Sequence, residues 1–255
     1  MKRIISFILV LSALIFLTPD LKAQAQEIDG VKELSSVQNY KEYLSEKSKN
    51  EESANEILNQ FLGLSEDDQE LFIRALQPQN YFKILKDGQD NPDENMAVLL
   101  DNGQEIDVQL KTNSDQDVKN LDSLSLNNSE ISTYATYTNT TAWASVELAV
   151  LGITTSKFQI QMKYQTDGKN ALQVYSIYKN YYNYNPGAWT TDVGYMTPYI
   201  AGGYGYGGYQ WKVSSTASLG GISTNLDMEI KANHTNAYYR VISGRAGWSQ
   251  GWGHI

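Results

Sequence analysis

Asp227 and Glu229 stand two residues apart in the alternating run Leu226-Asp227-Met228-Glu229-Ile230. A strand of period two puts both carboxylates on one face, opposite Leu226 and Met228. Two carboxyl groups so placed are the equipment of glycoside cleavage; the same spacing also describes a charged solvent face. Neither histidine completes a site. His234 falls in a turn between two strand patterns, and His254 sits next to the last residue, a poor place to hold a base. Gly203-Tyr204-Gly205-Tyr206-Gly207-Gly208 spells the dinucleotide fingerprint Gly-x-Gly-x-x-Gly. That fingerprint needs a helix opening at the glycines to meet pyrophosphate, whereas Tyr209, Trp211 and Val213 continue as a strand. The chain contains no Gly-x-Ser-x-Gly elbow and no His-Glu-x-x-His helix. The acidic stretch Asp87–Glu94 departs from calcium-loop spacing and is interrupted by Pro92. With no cysteine, thiol nucleophiles, Cys-zinc sites and iron–sulfur clusters are excluded. The expectation is a non-enzymatic protein without metal or cofactor.

What the chain does supply is aromatic rings. Tyr181, Tyr182 and Tyr184 precede Trp189; Tyr195, Tyr199, Tyr204, Tyr206 and Tyr209 surround the glycines; Trp248 and Trp252 lie in Gly247-Trp248-Ser249-Gln250-Gly251-Trp252-Gly253. Tyr and Trp combine an apolar face with a polar tip, which suits sugar stacking, protein interfaces and membrane headgroups. Glycine offers little side-chain mass to pack against, so rings interleaved with it are expected to reach outward. Trp189, Tyr204, Tyr206, Tyr209, Trp248 and Trp252 are the candidate binding residues.

The elements that must hold these rings fall into two groups. From Glu27 to Thr133 the chain carries 9 Lys+Arg against 23 Asp+Glu; from Tyr134 to Ile255 it carries 8 against 5, together with all five Trp and 15 of the 18 Tyr. This break predicts two units: an acidic helical unit with a hairpin over 26–110, and an all-β antiparallel sandwich or barrel over 142–255. The polar run Lys111–Thr141 is read as the linker between them. In the first unit Ala54, Ile57, Leu58, Phe61 and Leu62 form one helical stripe. Ser65 followed by Asp68 reads as a cap for a helix with face Leu71, Phe72, Ala75 and Leu76, and Pro78 ends it. A hairpin turns at Asp101-Asn102-Gly103. In the second unit, strands alternate through Phe158–Tyr164, Leu172–Tyr178, Tyr209–Leu219, Ile222–Ala232 and Ala237–Ser243. A faint repeat relates Trp143 and the strand Phe158–Lys163 to Trp211 and the strand Leu226–Lys231, as if one hairpin design were used twice.

Lys2 and Arg3, the apolar run Ile4–Leu17 and the small residues Ala23-Gln24-Ala25 have the layout of a secretory signal over 1–25, so the protein is expected outside the cell. The order of parts resembles uncharacterised secreted proteins of Gram-positive bacteria, with Leu64-Ser65-Glu66-Asp67-Asp68-Gln69 and Leu151-Gly152-Ile153-Thr154-Thr155-Ser156-Lys157-Phe158 carrying the likeness. The resemblance implies an extracellular protein and no particular activity. A net charge of −9 argues against nucleic acid as partner. The expected partner is a cell-surface glycan or protein, or a lipid membrane, with the acidic unit as a possible pro-segment. The alternative is a membrane-active toxin or bacteriocin-like protein inserting the Ser/Thr-rich hairpin Val213–Ala232, whose strands approach the ~9–11 residues that cross a bilayer.

Overall fold

The computed structural model describes residues 36–87, 95–119, 137–215, 221, 223–243, 248–249 and 251–255. The expected signal segment 1–25, most of the acidic loop Asp87–Glu94, the middle of the expected linker and the turn at Leu219-Gly220 lie outside them.

Among the described residues the fold is α+β: four short helices and two antiparallel sheets. Helices α1 (Val37–Lys47), α2 (Glu52–Leu62), α3 (Glu66–Ala75) and α4 (Pro78–Asp87) come first. α2 buries Ala54, Ile57 and Phe61, the expected stripe. Ser65 caps α3 as its spacing predicts, its Oγ accepting from Asp68 N at 3.2 Å, and three carboxylates in the first turn complement the helix dipole. Pro78 does more than stop α3. It opens α4, where its missing N–H costs nothing. Helix α1 was not expected, because it carries little apolar surface; it buries only Tyr40 and Leu44.

The first sheet runs in the order β1-β2-β3-β4-β5, with β1 Asn95–Leu99, β2 Glu105–Lys119, β3 Thr138–Val150, β4 Ile153–Thr166 and β5 Ala171–Asn183. The second runs β6-β7-β8-β9-β10, with β11 also on β9; these are β6 Ala188–Ala201, β7 Tyr204–Ser215, β8 Ser223–Ala232, β9 Ala237–Ser243, β10 Trp248–Ser249 and β11 Gly253–His254.

The expected linker over 111–141 is strand at both ends. β2 continues without a break from the hairpin to Lys119 and pairs with β3 from Val108↔Val150 to Lys119↔Asn139. Lys32–Ile255 clusters as one compact unit, and helices and both sheets share one buried cluster. A composition break can arise without a break in the core, because charge is a property of solvent faces. The acidic residues line the outsides of the helices, while their apolar stripes reach the inner face of the first sheet. The Tyr81 hydroxyl meets Ser156 Oγ at 3.1 Å in the interior. Tyr184, between β5 and β6, donates its hydroxyl to Glu51 at 2.9 Å.

The second sheet faces the rest of that inner surface. The Phe158 ring of β4 meets the Trp211 indole of β7 edge-on at 5.4 Å, and Tyr239 of β9 donates to Thr112 of β2 at 2.9 Å. The Tyr-Gly alternation of β7 now has a physical reason. Gly205 and Gly207 point inward, where a Cβ on Gly205 would lie 2.9 Å from Val174 of β5 and one on Gly207 would collide with Ile177. Glycine lets the sheets approach here, and the tyrosines between them are turned outward by the period of two. Because φ of Gly207 is not positive, Gly207→Val should act by overpacking alone, costing about 1–3 kcal/mol. Thermal unfolding should fall by roughly 2–4 °C per kcal/mol. An unchanged Tm would mean that the sheets do not meet at this residue.

The two hairpins of the repeat are β3–β4 and β7–β8, one in each sheet. Their indoles are not equivalent. Trp211 is fully buried, whereas Trp143 pairs with Gln161 between the core positions Ala142 and Ala144 and so lies on the outer face.

Edge strands β5 and β6 carry exposed Tyr175, Tyr178, Val193, Tyr195, Tyr199 and Ile200. Both are blunted against further pairing: β6 has two register breaks and Pro198, β5 has two more, and a surface ion pair joins Lys179 to Asp192. Burial works against the Lys179 ammonium, but the hydrogen bond and charge of Asp192 outweigh it and hold its pKa above that of an ordinary lysine.

Candidate functional site: an aromatic row on the second sheet

Outward residues of the second sheet follow from its register. Tyr206 of β7 pairs with Tyr199 of β6 on one side and Lys231 of β8 on the other. Lys231 pairs with Tyr238 of β9, and Tyr238 with His254 of β11. One row thus crosses five strands, Tyr199–Tyr206–Lys231–Tyr238–His254. At about 4.8 Å per strand it is about 19 Å long.

The rings along it touch. Tyr199 and Tyr206 stack at 4.6 Å with planes 3° apart, and His254 meets Tyr238 edge-on at 5.0 Å. Tyr204 closes on Tyr238 at 6.2 Å. Trp252, one residue before β11, leans over the middle of the row, 6.2 Å from Tyr206. At the centre is an ammonium: Lys231 Nζ lies 5.3 Å from the Tyr204 ring, 4.6 Å from Tyr238 and 4.9 Å from Trp252. Such cation–π contacts are worth about 0.5–2 kcal/mol each, rising with desolvation. The Arg240 guanidinium holds the Trp252 indole at 4.6 Å and pairs with Glu229, Nε at 2.9 Å and Nη2 at 2.6 Å. Burial, then the neighbouring Tyr199 and Tyr204 hydroxyls, raise the Tyr206 pKa above that of an ordinary tyrosine, against a smaller opposite pull from Arg240.

The structure sorts the candidate binding residues. Tyr204, Tyr206 and Trp252 come together, each partly buried with one side toward solvent. Tyr209 does not belong with them. It is 3% exposed, faces inward and packs between Tyr195 at 4.6 Å and Trp211 at 4.8 Å. The odd-numbered residues of this strand point to the core, so a ring beside the glycines is not thereby outward. Trp189 is opposite Ser214, eight residues along β7 from Tyr206 and about 26 Å away, too far to act in the same patch. Trp248 stands in β10 opposite Ser243; its side chain lies outside the described residues. Lys231, Tyr238, Arg240 and His254 were missed as binding residues, and Tyr199, named with the rings around the glycines, was not selected. A signal existed for two of them. Asn233 and Asn236 close a tight turn, Asn233 N donating to Asn236 O at 2.8 Å, and counting outward from such a turn sets Lys231 against Tyr238.

The carboxylates and imidazoles have structural partners. Asp227 and Glu229 share the outer face as expected, but Asp227 accepts from Gln210 Nε2 at 2.7 Å and Glu229 from Arg240. His234 Nδ1 lies 2.9 Å from Thr166 Oγ1. Among the described residues no group of three His, Asp or Glu side chains could hold a metal ion, and no helix is long and apolar enough to cross a membrane.

The class these features define is a two-sheet antiparallel β protein with a helical cover and an aromatic outer face. Compared with protein-family models, curated proteins and solved structures, the chain matches none, so its function is argued from this face.

Proposed function

We propose that this is an exported, non-enzymatic protein whose two sheets form a sandwich and whose outer aromatic row binds a polysaccharide at a cell surface. The observation that carries the reading is the row itself: four aromatic side chains in line across five strands, each with a polar tip. Rings with an apolar face and a hydrogen-bonding edge fit the apolar faces and hydroxyl rims of sugars. A protein interface is served less well, since interface cores are depleted in charge and Lys231 is central. A lipid surface calls for rings free to enter the headgroups, and these are engaged with one another and with Lys231 along the sheet.

Export is supported by the charged, apolar and small-residue pattern of residues 2–25. The toxin alternative requires β7 and β8 to leave the sheet. They are its inner strands, paired to β6 and β9, and they bury Trp211, Val213, Met228 and Ile230. The pairing of β2 into the first sheet favours reading the acidic unit as part of the folded protein over reading it as a pro-segment.

The test is binding of the full chain to insoluble peptidoglycan and to soluble cell-wall polysaccharides, with the double variant Tyr206→Ala/Trp252→Ala beside it. Loss of two such anchors is expected to cost about 2 kcal/mol or more, some thirtyfold in affinity, with Tm nearly unchanged because both side chains reach solvent. Equal binding by variant and parent would overturn the reading. So would dye release from liposomes without polysaccharide binding.

A further inference from the structure

We infer that the ligand of this face carries an anionic group, a carboxylate or phosphate on a sugar or polyol chain, and that Lys231 is the residue that reads it. The inference rests on the proposed polysaccharide reading and adds the chemistry of the ligand.

Lys157 is paired with Glu147 at 2.7 Å, Lys179 with Asp192 and Arg240 with Glu229 at 2.6 Å. Lys231 has no carboxylate partner among the described residues; its neighbours are the rings of Tyr204, Tyr238 and Trp252. The carboxylates beside it on β8 are engaged, Asp227 by Gln210 and Glu229 by Arg240. Among the described residues the ammonium thus has aromatic quadrupoles and no carboxylate to offset its charge, and it is partly buried.

Its position decides the rest. Lys231 is the third of five residues in the row, so any chain lying along the rings covers it. A neutral sugar chain would strip water from an unpaired ammonium and return no opposite charge, a desolvation penalty with nothing to offset it. A chain with a carboxylate or phosphate at that point supplies a charge-assisted hydrogen bond to a donor already held in position. The acidic helices do not forbid this, because the chain from Tyr134 onward carries more Lys+Arg than Asp+Glu.

The experiment measures affinity of the full chain for three probes: polygalacturonate, poly(glycerol phosphate) and a neutral β-glucan, each at low and high salt, with Lys231→Gln and Lys231→Arg. The parent should bind at least one anionic polymer tenfold or more tighter than the neutral one, and the preference should shrink with salt. Lys231→Gln should abolish the preference, bringing affinity for the anionic polymer down to that for the neutral one; Lys231→Arg should restore it. Preference for one anionic polymer over the other identifies the source of the negative group. If the parent binds neutral and anionic probes alike, the inference fails and the polysaccharide reading stands. If Lys231→Gln weakens all three equally, Lys231 only pins the rings, and the inference again fails. If none of the three binds, and peptidoglycan does not either, both readings fall.

Discussion

Trp211→Ala should destabilise the protein by about 3–5 kcal/mol, the range for removing a buried Trp or Phe side chain and leaving a cavity. The indole is 0% exposed and is the meeting point of both sheets: Phe158 of β4 at 5.4 Å, Tyr181 of β5 at 6.4 Å and Tyr209 of its own strand at 4.8 Å. Three rings around one indole cannot close over the space together, since each is held by its own strand, so the cavity persists. Against a total stability of about 5–15 kcal/mol the loss is a large fraction of the whole. Trp211→Phe gives the sharper comparison. The Trp211 Nε1–H is buried without a hydrogen-bond partner among the described residues, and removing an unsatisfied donor offsets part of the lost packing. The phenylalanine variant should therefore lie much closer to the parent than the alanine variant in a urea titration. Equal loss in both would show that the indole's polar edge, and not its bulk, is what the core requires.

How far such features could be read from the sequence depended on whether the pattern reports a face or only a composition. Periodicity reports a face. The 3–4 spacing of Ala54, Ile57 and Phe61, the Ser65 cap and the alternation through Phe158–Tyr164 gave elements that the structure contains, because each pattern arises from burial on one side. Composition reports the solvent. The acidic first half and aromatic second half looked like two units, yet charged residues on helix exteriors say nothing about which core the helix interiors join. The same distinction explains the candidate site. Counting in twos along β7 places Tyr204 and Tyr206 outward and Tyr209 inward with Trp211, so the odd ring was separable in principle. Reading density of rings in place of their parity selected all of them. Trp189 failed for another reason: distance along a strand is not visible as distance from a patch until the pairing partner is known. Lys231 drew no attention because a single lysine in a strand is ordinary. It becomes distinctive only when three rings converge on it from β7, β9 and the segment before β11.

A chain beginning at residue 137 should not fold by itself, although it contains every strand from β3 onward. The reading of 111–141 as a linker between two units implies the opposite, that a cut within it leaves a stable β-domain. In the structure β2 covers one side of β3 along its whole length, and with β1 and the helices it closes the core over Val146, Leu148, Val150 and Ile153, all buried. Uncovering these four side chains costs about 1.5–3 kcal/mol each, about 6–12 kcal/mol in all, comparable with the entire stability of an ordinary domain. The fragment would also present β3, 13 residues long, as an unpaired edge with an apolar face, the arrangement that templates association. Residues 137–255 expressed alone should elute as aggregate and show no cooperative thermal transition. Mixed during refolding with a second chain carrying residues 26–119, they should regain a soluble complex with native-like near-ultraviolet dichroism, because the register from Val108↔Val150 onward needs no covalent connection between β2 and β3. A monodisperse, cooperatively melting fragment would mean that the second sheet and β3–β5 suffice for a core, and that the helices are an attachment after all.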